Sequence, residues 1–158
     1  MVNLGPVTLP LILMVILAFS LPASAGGDRS ADEALPRVEH HLRAAEQLAV
    51  HFEGVLAKEC PHFETRAEWS AYFEDEVGRV VLLVAHLEQA WAEAKQTGDK
   101  DVRRAAKAPR AQVDRAQLLV TKLQGCAGDN GAGLAPSAIW RRVEREVPRR
   151  QSEIALPE

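Results

Sequence analysis

Two cysteines, Cys60 and Cys126, and five histidines, His40, His41, His51, His62 and His86, are the side chains best suited to hold a metal, move a proton or attack an electrophile. Their densest grouping is Cys60-Pro61-His62. A closed metal site there needs a thiolate and further ligands around a four-coordinate ion. Glu59 and Glu64 stand nearby, yet no helical segment carries the His-x-x-x-His or Glu-x-x-His spacing that aims two ligands from one face. The tripeptide reads as a turn, and no metal or other cofactor is expected. Of the histidines, only His41 and, less squarely, His86 fall beside an apolar stripe, whereas His40 and His51 point away from it. An ordinary half-buried imidazole accounts for both, and a cofactor held inside a bundle through either is the alternative.

Other groupings lack a reacting set. Glu74-Asp75-Glu76 are consecutive helix positions that diverge, so they read as a solvated acidic face, not paired catalytic carboxylates. The glycine-rich run from Cys126 to Gly133 follows a helix and lacks the Lys-Ser/Thr ending of a phosphate loop. Asp129 alone is too little for calcium. No nucleophile, base and orienting group come together, so the chain is not expected to be an enzyme.

The elements that must position these residues are helical. Apolar residues recur in steps of four and three at Val38, Leu42, Ala45, Ala49, Phe52 and Leu56, which predicts a first helix from Pro36 to near Cys60. Pro61 disfavours helical geometry before it. Thr65-Arg66-Ala67-Glu68 is a capping box. It opens a second helix with Trp69, Phe73, Val77, Val80, Val84, Leu87, Trp91 and Ala94 on one face. Gly98 stops that helix, and Asp99 or Asp101 caps the next. The third carries Val102, Ala106, Val113, Ala116, Val120 and Leu123, with a kink or a break at Pro109 and an end at Gly125. A short fourth runs from Pro136 to Val147, directing Ile139, Trp140, Val143 and Val147 inward, and Pro148 ends it. No segment alternates like a strand. The expected fold is all-α: an antiparallel three- to four-helix bundle over residues 36–147, with flexible segments at 26–35 and 148–158.

Short connections make successive helices antiparallel neighbours, so the first and third end at the same level. Cys60 and Cys126 close those two helices, and their spacing matches the offset between the helix starts. They are therefore expected to form a disulfide, as two adjacent thiols do in an oxidising compartment.

The stretch Ala67–Ala106, with its Trp-Phe-Leu-Ala rhythm and Gly-Asp turn, resembles periplasmic cytochrome c-prime-like helical bundles. Those proteins attach haem through Cys-x-x-Cys-His late in their last helix. Here Cys126 is followed by Ala-Gly-Asp-Asn, so covalent haem is not available and no family residue carries over. The resemblance implies compartment and fold only.

An apolar run from Leu9 to Leu21, then Pro22 and Ala23-Ser24-Ala25, has the layout of a signal peptide cleaved after Ala25. The run is shorter than the roughly 20 apolar residues of a membrane span. A periplasmic or secreted protein without a transmembrane segment is expected. The net charge of −3 argues against a nucleic-acid partner. Its distribution is uneven: residues 31–99 carry a net of −8 and residues 100–158 a net of +5.

Two basic clusters result, one at Lys100, Arg103, Arg104, Lys107 and Arg110, the other at Arg141, Arg142, Arg145, Arg149 and Arg150. Arg103, Lys107, Arg110, Arg141, Arg142 and Arg145 form a candidate basic surface for an anionic envelope surface or a protein partner. Matching within the molecule, Arg103 to Glu39 and Arg110 to Glu46, is the simpler account of them. A short fourth helix covers only half of the core, leaving a candidate groove at Val38, His41, Leu42, Leu87, Trp91 and Val102 for a partner, a ligand or a second copy. The function these features imply is binding or a structural role in the cell envelope or periplasm, with a carrier of non-covalent haem or metal as the alternative.

Overall fold

The computed structural model describes residues 29–107, 110–130 and 135–154. Within them the chain forms five helices and no strand: α1 Ala31–Leu56, α2 Arg66–Lys95, α3 Lys100–Ala106, α4 Arg110–Asn130 and α5 Pro136–Glu153. The signal peptide expected at 1–25 lies outside the described residues, as does the kink expected at Pro109. The third helix, expected to kink or break at that proline, is two helices, α3 ending at Ala106 and α4 starting at Arg110.

Three boundaries differ from the periodicity reading, each for a local reason. The first helix starts at Ala31, not Pro36, because Ser30 and Glu33 form a capping box; the Glu33 amide donates to Ser30 Oγ, and Glu33 Oε2 accepts from the Ser30 amide. Pro36 then lies inside α1, on its exposed side. The helix carrying Cys126 does not stop at Gly125 but continues to Asn130, whose side-chain amide donates to the Cys126 carbonyl at 3.0 Å. Buried Cys126 and Ala127 hold that last turn against the core. The last helix does not end at Pro148 but runs through it to Glu153. Pro148 is exposed, so water can satisfy the carbonyl one turn back, and Ile154 packs on the core beyond it.

Other expected signals appear as written. Thr65 and Glu68 make the capping box of α2. Asp99 Oδ1 accepts from the amides of Asp101 and Val102 at 2.8 and 3.0 Å and so caps α3.

Side-chain pairs give the relative directions of the helices. Along α1, the partners on α2 fall in number, from Arg29 with Glu93, through His41 with His86, to His51 with Glu76. Those on α4 rise, from Glu46 with Gln112, through Glu53 with Arg115, to Cys60 with Cys126. Thus α1 and α2 run in opposite senses, and α1 and α4 in the same sense. At the lower end, Lys122 Nζ donates to the carbonyls of Val55, at 2.9 Å, of Leu56, at 3.2 Å, and of Lys58, neutralising the negative end of α1. The Cys60–Cys126 disulfide, with Cα atoms 5.4 Å apart, ties the same two helices.

The core has two parts. The larger joins α1, α2, α4 and α5 through Phe52, Trp69, Leu83, Leu119, Leu123 and Ile139, all essentially solvent-free. Phe63, Trp69, Tyr72 and Phe73 form its floor, with adjacent rings 5.3–6.0 Å apart. Each such aromatic pair contributes about 0.5–1.5 kcal/mol beyond its buried area. The smaller part, Ala34, Val38, Ala90, Ala94, Val102 and Ala106, lies where α3 packs on α1 and α2. Alanine dominates it, so the helices approach closely there. Helix α2 is central: it contacts all four others and is buried around much of its circumference.

Candidate functional site

The groove expected at Val38, His41, Leu42, Leu87, Trp91 and Val102 is not formed by those six residues together. Val38, His41 and Val102 are buried; Val38 and Val102 share one cluster where α3 packs on α1 and α2, and Leu42 packs against it. Trp91 also packs against this cluster, whereas Leu87 packs against the larger core. Both are half-buried and line an open cavity of about 380 Å³ with Val84, Val113 on α4, and Trp140, Val143 and Val147 on α5. This volume falls within the range of small-molecule sites, and the walls are apolar as in such sites. Among the described residues, the carboxylates that line the cavity are Glu88 and Glu144, both exposed. Sequence reasoning found two of its residues; the others follow from the course of α5, which was expected to cover less of α2.

Beside this groove stands a basic concavity of about 320 Å³, lined by Lys100, Arg103, Arg104 and Lys107, the outer face of α3. Arg103 does not pair with Glu39: its guanidinium donates to the Thr97 carbonyl at 2.8 and 3.1 Å, closing the end of α2. Arg104 reaches Asp101 at 2.8 Å, an exposed pair of small value. Lys107 is the link between the two hollows. Its Nζ stands 4.8 Å above the centre of the Trp91 ring, with Lys95 Nζ at 5.8 Å. Trp91 therefore lines the apolar groove and also seats two cations on its ring.

The second basic cluster is spent differently. Arg142 grips Glu74 on α2 and Glu146 on its own helix, and these carboxylates raise its already high pKa further. The same contact holds Glu74 below the usual carboxylate range. Arg141 and Arg145 are exposed, and the Arg110 side chain lies outside the described residues.

The Glu74-Asp75-Glu76 run is not a solvated face throughout. Glu76 is 2 % exposed and lies 3.0 Å from His51 Nε2 through both oxygens, with Arg79 at 2.8 Å. His51 thus turns toward α2, where it meets the one member of the run that faces inward. A cleft of about 300 Å³ opens beside this pair, lined by Val55, Lys58, Glu59, Pro61 and Tyr72. His62 of the Cys-Pro-His turn is exposed and is not among the described residues that line this cleft. Burial, then the Glu76 charge, raises the Tyr72 pKa, so the phenol is neutral.

The other imidazoles converge. His41 Nδ1 and His86 Nδ1 face each other at 3.1 Å across α1 and α2, and the His40 ring centre lies 5.1 Å from that of His41 and 6.5 Å from that of His86. His40, expected to point away, is half-buried beside the pair. The two ring nitrogens are hydrogen-bonded neighbours, and axial imidazoles on opposite faces of a haem stand further apart than this. Among the described residues no three His, Cys, Asp or Glu side chains already close on a common ion position.

Comparison with known proteins returns no match: no protein-family model, no curated protein and no solved structure is significantly similar to the chain.

Proposed function

We propose that this chain is a small exported helical-bundle protein that acts by binding, and that its ligand is a single-chain anionic amphiphile of the cell envelope. The apolar tail occupies the groove between α2 and α5; the acidic head lies at Lys107, with Lys95 and the basic face of α3 around it. One observation carries this reading: Trp91 and Lys107 join an apolar cavity of about 380 Å³ to a four-cation concavity. The carboxylates Glu88 and Glu144 repel an acidic head from the rest of the groove rim and so orient the ligand. Export is supported by the disulfide, a bond that persists in oxidising compartments, and no helix among the described residues is long and apolar enough to cross a membrane. The groove needs no catalytic group for this role, and we read the protein as a binder, not an enzyme.

Tryptophan fluorescence tests the reading directly. Laurate, dodecyltrimethylammonium and a neutral dodecyl ether are titrated in turn below their micelle concentrations. Laurate alone is expected to saturate a single site, and Trp91→Ala and Lys107→Glu each weaken it by about tenfold or more, the loss of one good contact. Equal binding of all three chains, or an unchanged Lys107→Glu variant, defeats the proposal. So does sedimentation showing that a second copy of the chain covers the groove.

A further inference from the structure

We propose that the polar head selected at the basic concavity is a phosphate monoester, so that the ligand is a single-chain alkyl or acyl phosphate in preference to a fatty acid. The inference rests on the amphiphile reading above and names the chemistry of its charged end.

A face of like charge is the first observation. Lys100, Arg103, Arg104 and Lys107 fall at intervals of three and four and together line the concavity of about 320 Å³. Like charges at these spacings on a helix repel and destabilise it. Helix α3 has only seven residues, too short to stand on its own propensity. Lys100 is its first residue, where a cation also opposes the helix dipole. Asp101 offsets Arg104 alone, and that pair is largely exposed. Among the described residues no carboxylate lines the hollow. An anion of more than one charge offsets this repulsion across the whole face.

Preorganisation is the second observation. Arg103 is half-buried, and its Nε and Nη2 donate to the Thr97 carbonyl at 3.1 and 2.8 Å. Thr97 is itself buried, so the guanidinium is held on a packed part of the fold. Its Nη1 makes no hydrogen bond among the described residues. An arginine fixed in this way has lost its rotamer freedom before a ligand arrives, and its planar fork matches phosphate oxygens. Lys107, which lines the same hollow, stands 4.8 Å above the Trp91 ring, and Trp91 lines the apolar groove. Head and tail sites therefore meet at this pair.

Charge and shape then choose the head. A carboxylate brings one charge, which Lys107 meets. A phosphate monoester is a dianion above its second pKa of about 6 and has three acceptor oxygens, enough to engage Arg103 with Lys100 or Arg104 as well.

The test is calorimetric titration of the oxidised chain at pH 8 with dodecyl phosphate, dodecyl sulfate, laurate and inorganic phosphate, each amphiphile below its micelle concentration. Dodecyl phosphate is expected to bind one to one, about tenfold or more tighter than laurate or dodecyl sulfate, the worth of one further charge-assisted hydrogen bond. Dodecyl sulfate carries three terminal oxygens but a single charge, so it isolates the second charge. Lys100→Gln and Arg104→Gln, at exposed positions, each weaken dodecyl phosphate by about fivefold and change laurate by less than about twofold. Circular dichroism confirms the fold of both variants. Laurate or dodecyl sulfate binding as tightly as dodecyl phosphate overturns the inference while the amphiphile reading stands, and so does dodecyl phosphate affinity unchanged in both variants. Inorganic phosphate binding as tightly as dodecyl phosphate makes the hollow a free-phosphate site and also overturns it. If no dodecyl chain binds, both the inference and the reading beneath it fall.

Discussion

Acid should weaken this bundle through one residue more than any other. His41 is fully buried, and its imidazole is pulled from the ordinary 6.5 to about 4. A group depressed in this way is neutral in the folded chain, while the unfolded chain takes up the proton near 6.5. Its contribution is present above pH 6.5 and is lost as pH falls through the window from 6.5 to about 4. At 1.36 kcal/mol per tenfold change, the full loss is about 3 kcal/mol, of which about 2.5 kcal/mol has gone by pH 4.5. That is a large share of the 5–15 kcal/mol typical of a domain. His86, lowered by burial and by His40, acts in the same direction. The assay is equilibrium urea unfolding at pH 7.5 and 4.5 for the parent and for His41→Leu. Carboxylates held low in the folded state, such as Glu74, also cost stability in acid, but equally in both proteins. The parent midpoint should fall by about 1–2 M urea more than that of the variant. Equal falls refute the argument.

Reducing the disulfide frees a 66-residue separation, which in the chain-entropy model removes about 4 kcal/mol. Scanning calorimetry with and without reductant should show a melting temperature lower by about 10–20 °C, and thiol titration of the untreated protein should find no free cysteine. Pro148 sits inside α5 without a backbone donor for the turn before it. Pro148→Ala is expected to stabilise the chain by about 1–3 kcal/mol in urea unfolding, since an interior proline costs about 3 kcal/mol and this one is exposed.

Periodicity made the helices legible because each stripe, such as Trp69, Phe73, Val77 and Val80, follows the helical repeat and ends up buried. The disulfide was legible because helix lengths alone fix the level of Cys60 and Cys126. Boundaries were less so. Pro36 and Pro148 were given more weight than they have on exposed helix faces, while the Ser30–Glu33 capping box was present in the sequence and unused. Two glycines, Gly125 and Gly128, suggested a loop where packing of Cys126 and Ala127 holds a helix.

The imidazole cluster was hardest to read, since it depends on the register between α1 and α2. The register that sets His51 beside Glu76 also sets His41 beside His86, ten residues further along each helix. A single known contact between the helices would have revealed the other. The groove was misplaced because the length of α5 decides which apolar residues stay uncovered, and a proline concealed that length.

The bond between Cys60 and Cys126 turns the middle of the polypeptide into a closed hoop, threaded with α2, α3 and most of α4, from which α1 and α5 extend as two arms. A protease that cuts the hoop once liberates nothing: both pieces stay fastened until a reductant arrives. Such nicks leave the assembly of helices whole for as long as the bond stays oxidised.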